Sequence, residues 1–272
     1  MSALTITDLS FSYNGSQLFK GVSGTFSSGR PNLVLGPAGT GKTTLLLLLS
    51  GFLAHDSGSI DLDGISWHPE GRTGLTFQNP EMLFFHSTVG QEVTFALRQR
   101  GEVSCETRGK EWLEKWDLPV GQFWDRHPMK LSAGEKRRVA LAACTVFLPE
   151  LILMDEPTAG LDHEGRLALR QRVCELARDH IVILITHDPE FFLEESGSVL
   201  LMQEGSARWF GGGRDLIAAS LRDERLFPLP DWYRNALSGV SIPENPPWIK
   251  AESVLAFLAA GPFISKERGG EK

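Results

Sequence analysis

At 272 residues the chain is long enough for one large α/β domain with a sizeable core, with or without an appendage. Its 27 basic and 34 acidic side chains give a formal net charge of −7, and basic residues cluster only at Lys136-Arg137-Arg138, which argues against a nucleic-acid partner. No apolar run reaches the ~18 residues of a membrane span and the opening residues lack a signal-peptide pattern, so any membrane contact is expected to run through a partner.

In chain order, the alternating LTITDLSFSY and the glycine-rich HDSGSIDLDG predict antiparallel strands and turns. Between them NLVLG, Asn32 to Gly36, reads as a strand, followed by a helical pattern from Thr43 to Ser50. Further strands are predicted at GLTFQ (Gly74 to Gln78), LILMD (Leu151 to Asp155), IVILIT (Ile181 to Thr186) and SVLLMQ (Ser198 to Gln203). Helical patterns cover His163 to Ala177 and Pro189 to Glu195. The alternation predicts a mostly parallel sheet with helices on its faces.

Between Gln78 and Pro149 the strand signals vanish, and TVGQEVTFALRQR and GKEWLEKWDL predict an all-helical insertion. From about Leu226 the composition turns proline- and aromatic-rich, which predicts an appendage to Lys272 with one short helix near Lys250 to Ala260. The organisation read from the sequence is a domain at 1–225, a helical subdomain inserted at about 80–149, and a C-terminal extension at 226–272. Cys105, Cys144 and Cys174 have neither metal-ligand nor redox spacing and read as reduced core thiols of a cytosolic protein.

The chemistry starts at GPAGTGKTT: Gly36, Pro37, Ala38, Gly39, Thr40, Gly41, Lys42, Thr43 and Thr44 fit G-x-x-x-x-G-K-[ST] between a strand and a helix, the context the motif requires. Glycines let backbone amides curl around phosphate oxygens, Lys42 is placed for the β and γ phosphates, and Thr43 for magnesium. LILMDEP ends a buried strand on Asp155 and Glu156, where carboxylates are costly without partners. Asp155 is assigned to the metal, and Glu156 to the water that attacks the γ-phosphate. His187 and Gln78 follow strands whose carboxyl ends point to a ligand site, although a structural histidine and a plain loop amide are the alternatives.

LSAGEKRRVALAACTVF raises a separate question. Ser132 and Glu135 form a capping box for a helix of ordinary apolar spacing, yet Gly134 sits in its first turn at a cost of up to about 1 kcal/mol relative to alanine. The expectation is that something comes close to that backbone. Lys136 to Arg138 read as a solvated helix face.

Tyr13 in FSYNG, the phosphate loop, Gln78 in FQNPE, LSAGE, LILMDEP, AGLD and LITHD stand in the order and approximate spacing of an ABC-type ATPase, which the chain resembles over about Leu4 to Phe210. The resemblance implies a P-loop α/β fold with an antiparallel β subdomain and a helical insertion, binding ATP and magnesium. It implies that Tyr13 stacks on adenine, that Gln78 joins Thr43 and Asp155 at the metal, and that Gln78, Lys42, Glu156 and His187 serve catalysis. Leu131, Ser132, Ala133, Gly134 and Glu135 correspond to the signature that reaches the ATP of a second, head-to-tail subunit, and Asp162 couples the two sites. Ala133 replaces the family's usual glycine and Glu135 its commoner glutamine.

Within that family the chain looks most like the ATPase subunits of energy-coupling factor transporters, which import vitamins, cobalt or nickel. That likeness implies ATP-driven dimer closure at the cytoplasmic face of the membrane, in a homodimer or heterodimer beneath a transmembrane coupling protein and a substrate-capture subunit. The C-terminal extension would help to hold the pair. Met82 and Leu83 stand where acidic and amide residues are usual, and the apolar run Met82 to Phe85 reads either as a docking surface or as core of the helical insertion. Another ABC importer class and a soluble ATPase of cluster assembly are the alternatives.

Overall fold

The computed structural model of the chain describes residues 1–203, 206–223 and 225–229. The short helix expected near Lys250 to Ala260, and nearly all of the 226–272 extension, lie outside the described residues.

The chain opens with a hairpin of β1 (Ala3–Tyr13) and β2 (Ser16–Ser27). Its two-residue turn is Asn14-Gly15, both at positive φ (48° and 82°), the backbone that a tight hairpin of right-twisted strands requires. β3 (Asn32–Leu35) and α1 (Lys42–Leu49) follow, then β4 (Ser57–Leu62), β5 (Ile65–Ser66) and β6 (Thr73–Thr76). The helical insertion comprises α2 (Val89–Gln99), α3 (Cys105–Lys115), the single turn α4 (Val120–Phe123) and α5 (Ala133–Thr145). β7 (Leu151–Asp155), α6 (His163–Ala177), β8 (Ile181–Ile185), β9 (Ser198–Gln203), β10 (Ser206–Phe210) and α7 (Gly213–Arg222) complete the described chain.

The strands form an antiparallel sheet in the order β2-β1-β4-β5 and a six-stranded sheet in the order β10-β9-β3-β8-β7-β6. In the second sheet only the β9–β10 pairing is antiparallel. β7 and β8 are apolar but for the terminal Asp155 because they bury both faces, and alternate residues enter different cores. Ile152, Met154, Val182 and Leu184 join the helical side with α2, α3, α5 and α6, whereas Leu151, Leu153, Ile181, Ile183 and Ile185 pack with α1 and the antiparallel sheet.

Several elements depart from the sequence reading. Pro189 to Glu195 forms only a 3-10 turn, Pro189–Phe191. Its apolar residues are consecutive rather than spaced for one helix face, and Phe192 and Leu193 are fully buried as a plug. β10 and α7 escaped prediction altogether. Trp209 of β10 lies against Gly24 of β2, where any Cβ would overlap the indole, so this pairing depends on partners far apart in sequence. Among the described residues, no helix is long and apolar enough to cross a membrane. The three cysteines are free, with Cys105 and Cys144 buried and Cys174 half-buried, and burial pushes the Cys144 thiol well above its usual range.

β6 runs close to α5. A Cβ at Gly74 would overlap the carbonyl oxygen of Cys144 and stand 3.0 Å from Pro149 Cγ. Gly74→Ala is therefore expected to destabilise the fold by about 1–3 kcal/mol, read as a lower midpoint in urea; an unchanged midpoint would show that α5 yields without cost.

Candidate active site

Four strand ends meet on one edge of the six-stranded sheet. Along the order β3-β8-β7-β6, the carboxyl edge carries the Gly36–Thr44 loop after β3, His187 after β8, Asp155 and Glu156 at the end of β7, and Gln78 after β6. Ligands of parallel sheets bind at this edge. Tyr13, Ala38, Gly39, Lys42, Thr43, Thr44, Gln78, Asp155, Glu156 and His187 all line one cleft of about 400 Å³. A larger apolar cavity of about 620 Å³, lined by Gly36 and Pro37 of the same loop, meets the cleft at His187 but holds none of the paired carboxylates.

The loop has its shape because two glycines allow it. Gly36 (φ 141°) passes so close to the Met202 carbonyl that no Cβ would fit, and Gly41 (φ 94°) turns the chain into α1. No side chain caps α1, so its first amides keep their donors for another partner. The Lys42 ammonium folds back on the loop, donating to the carbonyls of Gly36 (2.8 Å) and Pro37 (2.7 Å). Burial lowers its pKa, and the charges of Glu156 and Asp155 oppose that shift.

The Thr43 hydroxyl donates to Asp155 Oδ2 at 2.7 Å, joining the loop after β3 to the end of β7. Burial raises the Asp155 carboxyl above its ordinary value, although the Thr43 hydrogen bond and the Lys42, His187 and Arg137 charges counter it. Glu156 is likewise raised, chiefly by burial. Its backbone has φ 50°, strained for a residue other than glycine, and such strain collects at functional sites. Glu156 Oε2 accepts the His187 amide at 3.0 Å. Oε1 lies 3.3 Å from His187 Nε2 outside hydrogen-bond geometry, leaving a buried oxygen unbonded. The Thr43 hydroxyl, the Asp155 carboxylate and the Gln78 amide are hard oxygen ligands of the kind magnesium takes.

Tyr13 is half exposed at the end of β1, its ring packed edge-on against Phe11 at 4.8 Å between centroids. His187 and Gln78 are exposed in the cleft.

The LSAGE residues sit elsewhere: Leu131 is buried, Ser132 and Ala133 are exposed, and none of the five lines the cleft. Ser132 Oγ accepts the Glu135 amide (3.3 Å) and Glu135 Oε2 accepts the Ser132 amide (2.7 Å), closing the expected box at the tip of α5. Among the described residues, no contact requires a glycine at 134. Its φ is not positive, and an added Cβ would meet Gly160 O at 3.4 Å and Leu161 Cδ2 at 3.5 Å, ordinary contacts. Asp162 caps α6, its Oδ1 accepting the Gly165 amide at 2.8 Å.

One expectation fails. The run Lys136 to Arg138 is not a solvated face: Arg137 is buried, and its guanidinium donates to the carbonyls of Phe77 (3.0 Å) and Gln78 (2.6 Å). Three consecutive cations on a helix point in three directions, so a charge run does not define a face. The Met82 to Phe85 run divides, with Met82 and Phe85 exposed and Phe84 packed on the core.

A glycine-lined loop between strand and helix, facing paired carboxylates across a parallel sheet, defines a P-loop nucleotide-binding fold. Residues 19–159 match the family model described as ABC transporter. A relative from Pyrococcus abyssi, described only as an ABC transporter ATP-binding protein, is 34% identical over 79% of this chain and 86% of its own. The energy-coupling factor transporter ATP-binding protein EcfA of Methanothermobacter thermautotrophicus is 34% identical over 74% of this chain and 68% of its own. The sulfate/thiosulfate import ATP-binding protein CysA of Methylococcus capsulatus is 32% identical, over 96% and 80%. Among solved structures, cbiO1 of Clostridium perfringens, part of the ABC transporter complex cbiONQ, matches with a TM-score of 0.69 at 28% identity, covering 82% of this chain and 96% of that one. The chain belongs to the ABC transporter family as one of its ATP-binding proteins, an ATPase coupled to transport.

Because burial raises Glu156, ionising it costs stability as pH rises through the folded-state value. Glu156→Gln should raise the melting temperature of the nucleotide-free protein at neutral pH, by about 2–4 °C for each ~1 kcal/mol relieved. The gain should shrink as pH falls and the native glutamate takes up its proton. A gain that persists in acid would assign the effect to something other than charge burial.

Proposed function

We propose that this chain works in a head-to-tail pair, with a copy of itself or a related chain, and that the pair powers an energy-coupling factor importer of a vitamin or transition-metal ion. The observation that carries the pairing is the separation of the two half-sites: the phosphate loop lies in the cleft, while the exposed Ser132 tip and Gly134, which no contact among the described residues requires, lie outside its lining. A capped helix tip with a bare first turn suits the γ-phosphate held by the opposite subunit. The likeness to EcfA and to cbiO1 supports the importer type. A transmembrane coupling protein and a substrate-capture subunit would then dock on it at the cytoplasmic face, and Asp162 would join the two sites across the seam.

On ATP arrival the Lys42 ammonium exchanges the Gly36 and Pro37 carbonyls for β and γ phosphate oxygens, and the uncapped amides of α1 join it. Tyr13 stacks on the adenine. Thr43, Asp155 and Gln78 would hold magnesium, which when bound screens the phosphate charge. Glu156, with its raised pKa and unbonded Oε1, accepts a proton from the attacking water as the bond from water oxygen to phosphorus forms and the bridging bond to ADP breaks. His187 supports the charge that shifts onto the γ-phosphate. Binding closes the pair, and loss of the bridging phosphate lets it part.

A second reading, an ATPase of another importer class, is favoured by the CysA match, which runs nearly the length of this chain. Gentle detergent extraction with identification of the co-purifying membrane proteins separates the two. A coupling protein with a small capture subunit is the expected result, whereas a permease pair with a periplasmic-type binding protein would establish the second.

Glu156→Gln is expected to lower steady-state hydrolysis by at least about a hundredfold and to accumulate ATP-bound dimers on size exclusion. Gly134→Asp should abolish ATP-dependent dimerisation and leave nucleotide binding by the monomer within about twofold, since the carboxylate would repel only the partner's phosphate. Equal loss of monomer binding would put the signature in the wrong place.

A further inference from the structure

We propose that Arg137 is a positioning residue that locks the Gln78 segment to the tip of α5, so that the cleft glutamine and the exposed serine tip move as one body; the proposal rests on the role given to Gln78 above.

The Gln78 side chain makes no hydrogen bond among the described residues, so its backbone alone decides where the amide stands. That backbone is held from one side chain. The Phe77 and Gln78 carbonyls, just past the last ladder position of β6, both accept from Arg137, at 3.0 and 2.6 Å. Lys136 adds a looser tie to Glu81, at 3.8 Å, one turn further along the same segment. Arg137 itself lies five residues beyond Ser132 on α5, so a displacement of the tip reaches Gln78 through a single rigid helix.

Packing does not explain this side chain. Arg137 is 4% exposed, and no carboxylate lies within ion-pair distance of it among the described residues. A buried cation is costly, and an apolar residue would fill the space more cheaply. What a guanidinium supplies is a planar fork that engages two acceptors at a fixed spacing; an ammonium on a flexible stem cannot hold both. The exposed Met82 and Phe85 continue from the same segment, so a partner seated there would push on Gln78 and Ser132 together.

The test uses the full chain carrying Arg137→Gln or Arg137→Lys, each alone and combined with Gln78→Ala. The local readout is a nitroxide on Met82→Cys in a Cys174→Ser background, where the remaining cysteines are buried. Arg137→Gln should lower kcat about ten- to a hundredfold with KM for ATP within about twofold. Arg137→Lys should recover only part of that loss. The nitroxide spectrum should become more mobile in Arg137→Gln, and adding Arg137→Gln to Gln78→Ala should cost no further kcat.

An unchanged nitroxide spectrum overturns the proposal, as do losses that multiply in the double variant. Parallel falls in nucleotide affinity and melting temperature for both arginine variants overturn it too, reducing Arg137 to a core residue. If Gln78→Ala leaves kcat intact while the nitroxide still loosens in Arg137→Gln, the role given to Gln78 falls and the positioning stands.

Discussion

Two carboxylates, Asp155 and Glu156, stand buried at the end of a strand whose other residues are all apolar, and the surrounding site is arranged around that cost. Thr43 meets one of them with a hydroxyl, the His187 amide meets the other, and Lys42 lies close enough to bias both. These partners come from three strand ends that are far apart in sequence and adjacent only because β3, β8 and β7 are neighbours. Parallel pairing fixes all the chain ends on one side, so the order of strands is also the order of chemical groups. The compensation is incomplete: burial keeps both carboxyls raised, and a cation bound beside them would favour their charged forms.

The parts of this arrangement that could be read from the sequence are those governed by local rules. LILMD and IVILIT are short apolar runs bounded by turns, and they form β7 and β8 at the expected places. The capping box at Ser132 and Glu135 closes as written because all its atoms lie within one turn. The phosphate loop was legible for the same reason. What escaped depends on contacts across the fold. The antiparallel β10 is recognisable only once Trp209 is known to rest on Gly24, and Arg137 looks like any helix-surface cation until β6 arrives beside it. Phe192 and Leu193 carry no helix because they fill a core defined by other elements.

The sheet also explains how one chain holds two unlike halves. Adjacent residues of β7 and β8 enter opposite cores, one shared with the helical insertion and one with the antiparallel sheet. Each core is contiguous, and the active-site edge is the rim where both end. The insertion reaches that rim through α5 and the segment after β6.

Tyr13 has a different kind of consequence. Its ring stands on Phe11 beside a tight turn and offers incoming molecules a flat, half-exposed surface. A flat π surface accepts any planar heterocycle and reads no pattern of donors and acceptors. Such a contact supplies grip without discrimination between guanine and adenine, so fuel choice would follow the abundance of triphosphates around the protein rather than the chemistry of its base contact.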